Sequence, residues 1–178
     1  MIAYLRGAEA VTRQVKREGV EITVDKAKEM IETFFSEYPD TRRYIERCQR
    51  AVEDPGYVQT AFGRRRHFYM LPNTDDDVIA AMGREAVNAP IQGTVADALS
   101  LALINLYNYR FTEHGRKLDY RIVAAIHDAI MVEAKEEDVA EVSQVMSLCM
   151  TDQVVVPGVN KRLKTDEEIF IRWSEKED

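Results

Sequence analysis

The sequence predicts an α+β fold, and three observations predict it. Apolar residues recur at helical spacing from Ala8 to Ala51, short apolar runs of strand length appear near residues 57–70 and 120–132, and turn residues such as Pro39, Pro55-Gly56, Gly63 and Pro72-Asn73 separate the segments. Helices followed by a small antiparallel sheet is an α+β arrangement.

Taken in order, Ala8 to Glu18 reads as a helix with Val11 and Val15 on one face. A second helix starts at Thr23 or Asp25, either of which can cap it, and runs through Met30, Ile31, Phe34 and Phe35 until Pro39 breaks it. Asp40 or Thr41 then caps a third helix through Tyr44, Ile45 and Ala51. Strands are expected at 57–62 and 67–70, with Gly63-Arg64-Arg65-Arg66 as a basic hairpin tip. A helix is expected over Asp76 to Val87, interrupted at Pro90, and a long one from Thr94 to Thr112. Two apolar strands, 120–126 and 129–132, flank His127-Asp128. A helix over Val139 to Met150 and a strand over 168–173 complete the chain.

The 178 residues suffice for a compact domain with a core. No apolar run approaches the length of a membrane span, nothing resembles a signal peptide, and no membrane partner is expected. Cys48 and Cys149 have no metal-site spacing, which fits a reduced, cytoplasmic protein. The net charge of −7 excludes a simple nucleic-acid coat, but acidic clusters such as Asp75-Asp76-Asp77 stand apart from Arg64-Arg65-Arg66. Local field decides where a phosphate backbone lies, so a nucleic-acid enzyme stays open.

A lone ionised carboxylate between apolar strands is costly, so Asp128 must be solvated, paired or bound to a metal. On this segment alone an ordinary hairpin turn is the favoured explanation of the aspartate. Arg84, Asn88 and Gln92, four residues apart, would align on one helical face were Pro90 absent; on spacing alone they read as a polar solvent face. Geometry disfavours a hydrolase built on His127 and Asp128. Adjacent strand residues project to opposite faces, and no nucleophile is placed beside them.

The order of motifs adds more. Gly56-Tyr57-Val58-x-Thr60-x-x-Gly63-Arg64-Arg65, then Arg84-x-x-x-Asn88-x-Pro90-x-Gln92-Gly93-Thr94-x-Ala96-Asp97, then Ile126-His127-Asp128 resembles the family A DNA polymerases. Tyr4 with Gly7-Ala8 and Arg13-Gln14, Glu37-Tyr38-Pro39, and Trp173 are similar to further parts of that family's fingers and end. The resemblance implies a partial polymerase palm with a His-Asp hairpin plus the remaining fingers helices, divided as 1–55 and 56–178.

It also implies roles. Asp128 would be one of two metal-binding aspartates for Mg²⁺, and His127 would lie near the primer terminus. Arg84, Asn88 and Gln92 would face the minor groove of the primer–template, and Arg64, Arg65 and Arg66 its phosphates, with a solvated hairpin tip remaining open for at least one of the three. Tyr4 would stand beside the incoming dNTP, although Leu5 departs from the family's usual glycine. Two further departures matter. Ala129 replaces the glutamate that usually follows His-Asp, and no segment matches the family's Asp-Tyr-Ser-type strand or its triphosphate-binding helix. The expectation is a chain that is inactive alone and completed by a second polymerase chain, as in a split phage-type enzyme working in the host cytoplasm. The alternative is a non-catalytic module that binds DNA or a replication partner.

Overall fold

The computed structural model describes residues 7–71, 73–109 and 115–172. Tyr4, Leu5 and Trp173 lie outside them. The chain divides into two compact units, Met1–Gln92 and Gly93–Asp178.

In the first unit, α1 (Ala8–Arg17) buries Val11, carries Glu9 in its first turn and Lys16 and Arg17 in its last, and so matches its charges to the helix dipole. It packs with α2 (Val24–Glu37). The Thr23 hydroxyl caps α2 by accepting the Lys26 amide at 3.1 Å, which identifies Thr23 and not Asp25 as the cap. Pro39 does not lie between helices. It is the first residue of α3 (Pro39–Arg50), where its missing N–H costs nothing and its fixed φ suits the first turn. Neither Asp40 nor Thr41 caps α3; Tyr38 occupies that position without a side-chain bond.

The hairpin strands are shorter than expected: β1 is Tyr57–Gln59 and β2 is Arg65–His67, paired antiparallel with Tyr57 opposite His67 and Gln59 opposite Arg65. Arg65 and Arg66 therefore belong to a strand and not to the tip. Gly63 takes φ +89°, a conformation that disfavours any side chain, and the loop closes through Thr60, whose hydroxyl accepts the Arg64 amide at 3.2 Å. Val58 and Phe68 point inward and join Ile45, Cys48, Val52, Ala86 and Val87 in one core. Each such valine contributes roughly 1.5–3 kcal/mol by burial.

The largest departure from expectation is α4, a single helix over Asp76–Asn108 that contains Pro90. A proline there removes the amide that would meet the Ala86 carbonyl and costs about 3 kcal/mol. Two features offset the cost. Ala86 and Val87 are buried to 1 % exposure or less, and the Tyr44 hydroxyl donates to the neighbouring Val87 carbonyl at 2.8 Å. Burial, followed by the nearby Cys48, pushes the Tyr44 phenol well above its ordinary range, so it remains a donor at any working pH. As one helix, α4 is also long and apolar enough to cross a membrane by length and composition, which corrects the expectation that no apolar run reaches that length. Length and composition alone carry that property, and core helices of water-soluble proteins share it.

In the second unit, β3 (Tyr120–Ile126) and β4 (Ala129–Ala134) pair antiparallel with Tyr120 opposite Ala134 and Ile126 opposite Ala129. The register shifts between Ile122 and Ala124, leaving Val123 as the extra residue of a bulge. Leu106, Leu118, Tyr120, Ile130, Val142, Val145 and Cys149 are buried in this unit. The Tyr120 hydroxyl donates to carbonyls near the C-terminal end of α4, those of Leu106 and Tyr109, which the helix itself cannot satisfy. A 3-10 turn (Glu136–Asp138) leads into α5 (Val139–Met150). The buried Asp138 carboxylate is ion-paired with Arg116, whose other nitrogen meets Glu141. The expected strand at 168–173 does not form among the described residues 168–172, which take no regular strand conformation. Both cysteines are free and buried; burial raises the Cys48 thiol and pushes Cys149 up to about 11, so both stay protonated and inert.

Two outcomes are expected. Tyr44→Phe removes the donor beside the proline turn and lowers stability by about 1–3 kcal/mol in urea unfolding, while the exposed Tyr38 changed to Phe has an effect under about 0.5 kcal/mol. Asp138 is held below the ordinary aspartate range, first by its hydrogen bond from Arg116. Its folded value is depressed, so the stabilisation is present above the unfolded carboxyl's range and lost as pH falls through about 4 and below. Melting temperature should therefore drop more steeply between about pH 5 and 3 in the native chain than in Asp138→Asn.

Candidate active site and nucleic-acid interface

The hairpin of β3 and β4 turns in two residues, His127 and Asp128. His127 has φ +56° and Asp128 does not share the positive sign, the pattern of a turn whose first central position favours glycine. A histidine held there costs roughly 1–2 kcal/mol, and such strain gathers at functional positions. Both side chains are exposed, so the Asp128 carboxylate is solvated and not buried between apolar strands. Ala129 follows as the first residue of β4, also exposed. Among the described residues no group of three or more His, Cys, Asp or Glu could hold a metal ion. Asp128 offers one hard oxygen ligand of the kind Mg²⁺ takes, and this chain's described residues do not complete a site around it.

The other motif residues lie in the first unit. Because α4 continues through Pro90, Arg84, Asn88 and Gln92 do share a helical stripe, turning by about 40° per step. Arg84 and Gln92 are exposed, and Asn88 is half-buried with its amide donating to the Arg84 carbonyl at 3.1 Å. The three arginines of the hairpin part company. The Arg64 amide is held by Thr60, Arg66 reaches α4 and ion-pairs with Glu85, and the Arg65 guanidinium lies over the Tyr57 ring at 4.4 Å. Arg65 and Arg66 diverge because neighbouring strand residues point to opposite faces.

One feature escaped the motif reading. Tyr57, His67 and Tyr69 form a ladder: Tyr57 and His67 are 5.4 Å apart between ring centres, and His67 and Tyr69 are 6.2 Å apart and within 17° of parallel. The period-two spacing of Arg65, His67 and Tyr69 is its only sequence signal, because the pairing of Tyr57 with His67 is set by the hairpin register.

The sequence profile of DNA polymerase family A matches residues 2–175. DNA polymerase I of Chloroflexus aurantiacus is 39% identical over 140 residues, which cover 76% of this chain and 14% of that protein. The DNA polymerase of Escherichia phage T5 is 27% identical over 165 residues, 90% of this chain and 19% of that protein. Among solved structures, the POL domain of Pol1 from M. smegmatis in complex with DNA primer-template and dNTP is similar with a TM-score of 0.73 and 30% identity, covering 86% of this chain and 26% of that one. The chain thus spans less than a fifth of the length of these two curated relatives.

His127→Gly removes the backbone strain of the turn. It is expected to raise stability by about 1 kcal/mol in thermal unfolding, whereas Ile126→Gly, in regular strand, lowers it by a similar amount.

Proposed function

The chain belongs to DNA polymerase family A, and from that membership we propose that it forms the C-terminal fingers and palm portion of a template-directed DNA polymerase that extends a primer 3′-hydroxyl with dNTPs. Residues 1–55 are assigned to the fingers and 56–178 to the palm. The observation that carries the reading is the exposed Asp128 carboxylate on a strained two-residue turn at the head of an apolar hairpin.

In this reading Asp128 is one ligand of a Mg²⁺ centre. The described residues supply too few carboxylates for two ions, so a second aspartate comes from further polypeptide, along with a triphosphate-binding helix and a thumb. When bound, a metal centre held in part by Asp128 would supply activation of the attacking hydroxyl and charge stabilisation for the leaving pyrophosphate. This chain's own contribution is placement. His127 sits next to the primer end, and Arg84, Asn88 and Gln92 test the minor-groove acceptors common to all correct base pairs. Arg64, Arg65 and Arg66 hold phosphates without reading sequence, and Tyr4 flanks the incoming nucleotide.

Exposed apolar residues support the need for further polypeptide: Ile91, Val95, Ile104 and Tyr107 on α4, and Val123 and Ile126 on β3, are 43% exposed or more. Such surface, in a cytoplasmic enzyme, is what a neighbouring element covers, whether it lies on the same gene product or on a separate chain. A phage-type split enzyme is the separate-chain form of this proposal.

A second reading, a DNA-binding module without catalysis, is favoured by Ala129, which removes a carboxylate from the turn. Primer extension separates the two. The 178 residues alone with Mg²⁺ or Mn²⁺ should give no synthesis, and the completed enzyme should be active. Asp128→Ala should then reduce synthesis by at least about a thousandfold with DNA affinity changed less than about threefold. Synthesis untouched by that substitution, or no synthesis from any completed complex, leaves the binding module as the answer.

A further inference from the structure

The β1–β2 hairpin is two-faced. Val58 and Phe68 are each 8% exposed and belong to the core, whereas the opposite face carries Tyr57, Arg65, His67 and Tyr69. Tyr69 is 81% exposed, an unusual state for a residue whose ring ordinarily buries a large area. Its ring stacks on His67, whose ring meets Tyr57 tilted by 47°, and the Arg65 guanidinium closes the other end at 4.4 Å.

We propose that this outer face is a base-stacking platform for an unpaired DNA strand. Alternating π-faces and a guanidinium are what single-stranded nucleic acid offers contacts to. Every base has a face that stacks on an aromatic ring, and Arg65 can serve a phosphate or a base through the same planar group. Arg64 on the same short hairpin adds to the positive charge of Arg65 in a chain of net charge −7, while Arg66 is neutralised on the other face by Glu85. A duplex hides its base faces, so the platform selects unpaired strands. A protein partner is a poorer fit: the ladder is polar at each ring edge and lies beside three consecutive arginines. That the strand is the unpaired template of a polymerase rests on the function proposed above; the stacking chemistry does not.

The test is fluorescence anisotropy of the 178-residue chain with a labelled 12-nucleotide single strand and the matching duplex, each at several salt concentrations. Tyr69→Ala should weaken single-strand binding about tenfold and duplex binding less than about twofold, and Tyr69→Trp should restore it. Arg65→Ala should lower the slope of log affinity against log salt by about 0.7 for the single strand. Because Tyr69 stands outside the core, its truncation leaves the melting temperature unchanged, which circular dichroism checks. Equal loss on duplex and single strand, no effect of Tyr69→Ala, or no single-strand binding by the native chain overturns the platform. The two proposals fail separately. Tyr69-sensitive binding by a complex that never synthesises removes only the polymerase, and Asp128-dependent synthesis with Tyr69 neutral removes only the platform.

Discussion

A proline within a helix removes one amide from the ladder, and much of this structure depends on how α4 tolerates Pro90. The helix persists because the turn before the proline is committed elsewhere. Ala86 and Val87 are locked in a core with Ile45, Cys48 and Val52, and Tyr44 supplies a hydroxyl to the Val87 carbonyl. Breaking the helix would save about 3 kcal/mol at the proline and forfeit those contacts, which together are worth more. The continuity then has a consequence for arrangement: Arg84, Asn88 and Gln92 stand on one stripe instead of being scattered by a break.

The two hairpins use strand alternation in different ways. In β1–β2 it separates neighbouring arginines, sending Arg66 to Glu85 and leaving Arg65 over Tyr57. In β3–β4 a bulge at Val123 and a positive φ at His127 shape the turn that presents Asp128. Bulges re-aim the residues beyond them, and a non-glycine residue at positive φ persists only where its surroundings insist on it. Both devices precede the same two residues, which is why the turn reads as a built feature and not as a loose connection.

Membership in DNA polymerase family A accounts for the motif order along nearly the whole chain, and equally for what the chain leaves open. Among the described residues each sheet has two strands, a size that is marginal by itself, and large apolar side chains of α4 and β3 meet water. In a protein spanning less than a fifth of its curated relatives, open edges and uncovered apolar faces are the expected marks of surfaces that other elements cover.

Local chemistry made much of this protein legible from sequence: the Thr23 cap, the Gly63 turn, the amphipathic face of α1 and the His127-Asp128 bend each depend on residues within a few positions of one another. The motif order likewise identified Asp128, Arg84, Asn88 and Gln92 as residues to watch. What sequence misjudged depended on distant partners. Pro90 lies inside a helix because Tyr44 and a buried core compensate it, and Pro39 starts a helix because Tyr38 already ends the one before. The alternating residues at 168–173 form no strand among those described, because alternation alone does not supply a neighbouring strand in register. Helix caps and turns are local balances that a short segment settles alone. The fate of a proline, a strand or an aromatic ring such as Tyr69 is settled by which groups the folded chain brings beside it, and only the tertiary structure decides that.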